Sequence, residues 1–212
     1  MFPHVSDIDM MFHWNSHLAI PRGHPPPTQL PVEFHNYVRV LEIIDSHLPG
    51  YVYLEYRYLL TECVDERRPK YNAVEYDEEA GILNKGYRRH VPADTIHGPA
   101  ITTASVGEEL SFDSVHCTRC LVWPPQAADW PTRFRSYGWP DSATIDGVVS
   151  NGCDVVPVAH RQCRQHEWMG LIQHRLSFSR AEIVLLNSWM PVQQIVYHIL
   201  RFFYKDRTID RQ

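Results

Sequence analysis

The chain has 212 residues, 20 Lys and Arg against 25 Asp and Glu, a net charge of −5 and 44% hydrophobic residues. That length and apolar fraction can supply a packed core in one large domain or two small ones, and the mild negative charge with dispersed basic residues argues against strong unspecific attraction to nucleic acid. No apolar run approaches the roughly 20 residues that span a bilayer, and five cysteines without an N-terminal apolar leader point to free thiols in a reducing compartment, the cytoplasm or the nucleus.

The first element is SDIDMMF, residues 6–12. It reads as a strand in which Asp7 and Asp9 share one face while Ile8 and Met10 enter the core. HWNSHLAIPRGHPPPTQLP, residues 13–31, reads as a loop because Pro21, Pro25, Pro26, Pro27 and Pro31 remove backbone donors and fix φ. YVRVLEIID and YVYLEYRYLL follow as a hairpin across His47, Leu48, Pro49 and Gly50. Phe34, Tyr37, Val38, Leu41 and Ile44 also fit helical spacing, which leaves a short amphipathic helix open for the first arm. Residues 62–96 are rich in charge and Tyr without periodicity and read as a mobile insertion, with Arg67, Arg68, Lys70, Arg88 and Arg89 as solvated surface.

GPAITTASV and ELSFDSVHC alternate on either side of Gly107 and Glu108 and make a second hairpin that carries Asp113. The segment WPPQAADWPTRFRSYGWP is irregular, with Trp123, Trp130 and Trp139 expected as core staples. Asp141 is placed to N-cap a short helix through Val149 that Gly152 ends. DVVPVA is a short extended piece, Ser179-x-x-Glu182 forms a capping box, and Pro191 opens the last helix at its first position. No internal repeat is present.

Two carboxylates on one strand face repel each other unless one is protonated or a cation sits between them, and a hard divalent ion such as magnesium takes oxygen ligands of this kind. A third acid from another strand would complete a site for one or two such ions, and Asp113 is the natural candidate. Taken by themselves the residues also read as a frayed terminal acid and a solvated acid on an edge strand. Cys117 and Cys120 have zinc-knuckle spacing, and Cys153, His160, Cys163 and His166 could supply a second half. An odd separation on one strand turns the first two to opposite faces, so small buried hydrophobes are the better reading and zinc is disfavoured. His97 and His116 have no paired acid or nucleophile in reach and are assigned surface or packing roles. There is no Ser-His-Asp set, Walker loop or G-x-G-x-x-G.

SDIDMMF, HGPAIT, FDSVHCTRCLVWPPQAADWPTRFRSYGWP, NGCDVVPV, HRLSFSRAE and QQIVYHILRFFYK, in this order from Ser6 to about Lys205, resemble successive landmarks of the Mab-21-like family, which includes cyclic GMP-AMP synthase and the animal receptors similar to it. Residues between His13 and His97 match only loosely. The resemblance implies an α+β fold: a nucleotidyltransferase core with a twisted mixed sheet flanked by helices, over residues 1–140, and the first part of a C-terminal helical lobe over residues 141–212. It also implies that Asp7, Asp9 and Asp113 hold magnesium, with manganese as a substitute, and are the catalytic acids. Arg175, Ser177 and Ser179 of the RLSFS segment are implied as phosphate and base contacts. Arg201 falls where active relatives carry a lysine facing the triphosphate, which keeps the charge and changes the geometry.

The departures bear on activity. Active members carry a Gly-Ser motif well before the acid pair, whose backbone amides cradle the phosphates. This sequence starts after that point, so a chain shortened at both ends is expected. WMGLIQH also stands where the family joins Trp directly to RLSFS. The expected function is synthesis of a cyclic dinucleotide from ATP and GTP in innate immune sensing, with double-stranded nucleic acid as an activator and no membrane. The alternative is a non-catalytic relative that acts in signalling or development through nucleotide or protein binding.

Overall fold

The computed structural model describes residues 7–63, 70–76, 81–84, 96–104, 111–136, 138–163 and 167–209. Alternating β-branched and aromatic residues set the strands. The first, β1, runs over Asp7–Pro21, so residues 13–21 continue the strand instead of forming the expected loop. The physical reason lies in where the prolines fall: none lies between Asp7 and Pro21, and every strand donor before Pro21 remains available to a ladder. β2 (Tyr37–Asp45) and β3 (Tyr51–Cys63) form the expected antiparallel hairpin. Gly50 supplies the left-handed conformation of its turn, at φ 78°. The helical alternative for the first arm is not realised, because Val38, Val40, Leu41 and Ile43 of β2 are all buried in strand positions.

β4 (Lys70–Glu75) adds to β3, so part of the expected insertion is an ordered strand, anchored where buried Tyr71 donates its hydroxyl to the His35 carbonyl at 3.2 Å. Lys70 is exposed as expected, while Arg67, Arg68, Arg88 and Arg89 lie outside the described residues. β5 (Ile96–His97), β6 (Ala100–Ala104) and β7 (Ser111–Cys120) follow. The β6–β7 pairing is the second predicted hairpin, with its turn at Gly107 and Glu108 outside the described residues. β8 (Cys153–Val156) and β9 (His174–Ser177) pair with each other. Both fall beyond residue 140 yet belong to the same sheet as β1 to β7.

The mixed α+β fold is as expected, with one addition. β1 pairs with both β2 and β7, β3 with β9, and β8 with both β7 and β9, so six strands close into a ring. β1 makes closure feasible by carrying a neighbour on each edge: residues 7–13, 18 and 19 lie parallel to β7 and residues 17–21 parallel to β2, with a register shift in the β7 pairing between His13 and Leu18. Ala19, Leu41, Ile43, Val52, Leu54, Cys120, Cys153, Val155 and Leu176 fill the interior. Burying a Val, Leu or Ile side chain of this kind contributes about 1.5–3 kcal/mol. A second cluster lies outside the ring, where Leu30 and Phe34 of the proline-rich segment cover Leu18, Ile20, Val38, Val40 and Leu60.

The helices are α1 (Ser142–Ser150), α2 (Glu167–Ile172), α3 (Ser179–Asn187) and α4 (Pro191–Ile209). Asp141 caps α1 as expected, accepting from the Thr144 amide at 2.8 Å. The capping box does not form. Phe178 holds the N-cap position of α3, and Ser179 is already helical with its hydroxyl 3.1 Å from that of Ser177. Trp123 packs between Trp130 and Phe178 as a staple should. Trp139 does not, being 40% exposed and tilted against Trp189.

Candidate functional site

Strand alternation and register bring most of the predicted residues to one outer face of the ring. Asp9 stands opposite Asp113 on the parallel strands β1 and β7, and Asp7 stands opposite Ser111. With a side-chain period of 2, Asp7, Asp9 and Asp113 occupy positions of the same face. Asp113 is half-buried and accepts a hydrogen bond from the Thr102 hydroxyl of β6.

The same face continues along β7 through Val115, Cys117 and Arg119, crosses to Asp154 opposite Arg119 on β8, and reaches Ser177 opposite Asp154 on β9. Arg175, opposite Val156, shares it and is exposed. Ser177 stands at the level of Arg119, six residues along from Asp113 or about 20 Å of strand, and β9 lies two strands over, about 10 Å. The acids and the RLSFS residues therefore share a face without touching the same atom. Arg201 falls in α4.

Between these two groups lies a cluster that sequence reasoning missed. Asp154 is fully buried on a strand whose other residues are apolar. Arg180, the second residue of α3, donates from Nε to its Oδ2 at 3.1 Å and to its Oδ1 at 3.3 Å. The Arg180 guanidinium also donates from Nη2 to Nε2 of His13 at 2.8 Å, and that ring nitrogen lies 3.1 Å from Asp154 Oδ1. Cys117 sits beside them, its thiol pushed up to about 12 by burial and then by the Asp154 charge. A lone acid inside the apolar run CDVVPV, and an arginine directly after SFS, were the signals available in the sequence. A cleft of about 410 Å³ opens beside the cluster, lined by Met11, Phe12, His13, Glu33, Arg119 and Arg180 among others. Arg119 donates to Glu33 across it at 2.7 Å.

The cysteines separate as their spacing predicts. Cys117 belongs to the outer face, whereas Cys120 lies inside the ring in register with Cys153. The Cys153 thiol is held above its ordinary value by its hydrogen bond to Cys120 and by burial. His13, Cys117 and Asp154 do bring ligand-type atoms within 4.8 Å of one another, but the Arg180 guanidinium already supplies the positive charge at that spot.

A second cavity, of about 190 Å³, opens toward the interior and is lined by Trp14, His17, His116, Thr118 and His174 among others. His116 stacks on Phe12 at 5.5 Å and packs against Trp14 at 5.3 Å, in keeping with a packing role. Burial, and then the positive charge of Arg39 beside it, lower His17 to about 4.

Among the described residues no helix is long and apolar enough to cross a membrane. Residues 59–188, more than half of the chain, match the family model of the Mab-21 protein nucleotidyltransferase domain. The matched segment contains Asp113, Asp154, Arg175, Ser177, Ser179 and Arg180, and begins after Asp7, Asp9 and His13. No match is found among curated proteins.

Proposed function

Because the chain belongs to the Mab-21 family and carries its nucleotidyltransferase domain, we propose that it joins ATP and GTP into a cyclic dinucleotide with magnesium, in innate immune sensing in the cytoplasm. The observation that carries this reading is the register of Asp9 against Asp113 with Asp7 on the same face. Three carboxylates at such positions are a hard oxygen donor set, which fits magnesium, or manganese in its place, and gives an otherwise repulsive arrangement a physical reason. When bound, the metal lowers the pKa of an attacking ribose hydroxyl and stabilises the pyrophosphate that leaves.

The chain's own residues then divide the work. Asp7, Asp9 and Asp113 hold the metal-bound triphosphate end. Arg175, Ser177 and Ser179 contact phosphate and base from the other end of the same face. Arg201 contributes a cation toward the triphosphate from α4. Double-stranded nucleic acid is the proposed activator.

Incubation of the protein with ATP, GTP, magnesium and double-stranded RNA or DNA tests the reading. Wild type is expected to form a cyclic dinucleotide, and Asp113→Ala is expected to lower the rate by at least about a hundredfold, as loss of a group that holds a catalytic charge does. Product undiminished by Asp113→Ala would overturn the assignment of the acids. No product from wild type, with Mg·ATP still bound, would replace the enzyme with a nucleotide-binding relative that acts in signalling or development.

A further inference from the structure

We propose that Arg180 is a positioning residue, which by gripping Asp154 and His13 together fixes the β9–α3 turn, and with it Ser177 and Ser179, over the acid-bearing strand. The proposal rests on the nucleotide-binding reading above and names the element that aligns the two ends of that site.

Three features carry it. First, the tie joins the parts that must be aligned. Arg180 directly follows Ser179, Asp154 is both its ion partner and the register partner of Ser177, and His13 lies four residues beyond Asp9 on β1. Second, the tie is obligatory. Asp154 is fully buried, and a buried carboxylate without a cation is strongly disfavoured, so α3 must enter where Arg180 can reach it. Third, the geometry asks for arginine. Nε serves the carboxylate while Nη2 serves the imidazole, and a planar fork does this where the single ammonium of lysine cannot hold both in place. The β9–α3 turn has no side-chain cap of its own. Its position therefore depends on this contact more than on local hydrogen bonding.

Binding of Mg·ATP and of Mg·tripolyphosphate to the full chain distinguishes positioning from bulk stability. Tripolyphosphate reports the acids and the phosphate-binding cations, whereas ATP also needs the serines. Arg180→Gln and Arg180→Lys should bind tripolyphosphate as wild type does and lose on the order of tenfold in ATP affinity, the worth of one or two aligned hydrogen bonds, with lysine the milder change. If both ligands weaken equally, or ATP affinity is unchanged in Arg180→Lys, the positioning role is wrong. Should Arg180→Gln not fold, Arg180→Lys, which keeps the ion pair with Asp154, still gives the answer. Wild type that binds neither ligand would overturn the reading of the site, and the positioning role with it.

Discussion

β7 carries two different proteins on its two faces. Cys120 on the inner side is sealed with Cys153, Val155 and Leu176 in an apolar cluster. Asp113 and Arg119 on the outer side flank an apolar patch of Val115, Cys117 and Val156, and the fully buried Asp154 across on β8 is held by an arginine from another element. Inside, the side chains need only be apolar and of the right volume. Outside, each polar group needs a specific partner, because burying it without one is costly. Alternation by one residue is all that separates the two environments, so register is the property on which both depend.

The largest effect is expected from breaking that register. Gly152 precedes β8 at φ 64°, and a Cβ built there would stand 2.0 Å from the Cys120 carbonyl oxygen and 2.9 Å from the Leu121 carbonyl carbon. Both contacts are with backbone, which cannot swing away. A non-glycine residue in the left-handed region already costs about 1–2 kcal/mol, and the clash adds to it by forcing β8 from its pairing of Cys153 with Cys120. Gly152→Ala should therefore lower the thermal midpoint more than any single interior truncation, or yield no soluble protein. A midpoint within a few degrees of wild type would show that the close approach does not set the β7–β8 register.

Leu54→Ala tests the inner face alone. Leu54 is fully buried within the ring, and truncations of this kind cost about 2–5 kcal/mol. Chemical denaturation should show that loss without altering the affinity for Mg·tripolyphosphate at temperatures where the variant is folded. Parallel loss of both would mean that the two faces are less independent than the alternation implies.

What the sequence revealed follows the range of the interactions. The β2–β3 hairpin, the Asp141 cap and the opening of α4 at Pro191 depend on residues within a few positions of each other, and all three form as read. The failures are non-local or competitive. β1 continues to Pro21 because two different strands draw it on. The Ser179-x-x-Glu182 pattern is preempted because Ser179 is already helical and its hydroxyl meets Ser177. A shared face for Asp7 and Asp9 follows from a spacing of two, whereas the register of Asp9 against Asp113 is set by the parallel β1–β7 pairing, which no hairpin pattern announces. The contact of His13 with Arg180 spans 167 residues, and no local pattern could announce it. The ring closure is equally invisible, since it depends on β3 meeting β9 at Tyr51 and Val52, with the Leu176 amide donating to the Gly50 carbonyl beside them.

The smallest effect expected concerns His17, which lines the cavity opening toward the interior and so samples the boundary between the two environments. Its folded value is lowered to about 4, first by burial and then by Arg39, its register partner on β2. An unfolded chain has the ordinary value near 6.5. Below pH 6.5 the unfolded chain takes up a proton that the folded chain refuses, so stability is lost as the pH falls from 6.5 toward about 4 and changes no further from this group below that. His17 is only partly buried, and solvent screening keeps the contribution small. Carboxylates titrate over part of the same range, but they do so equally in a His17→Gln variant and cancel in the difference. The thermal midpoint of wild type should thus fall more steeply than that of His17→Gln between pH 6.5 and 4.5, and superimposable profiles would mean that the cavity admits enough water to keep the imidazole solvated, with a wet mouth on an otherwise dry interior.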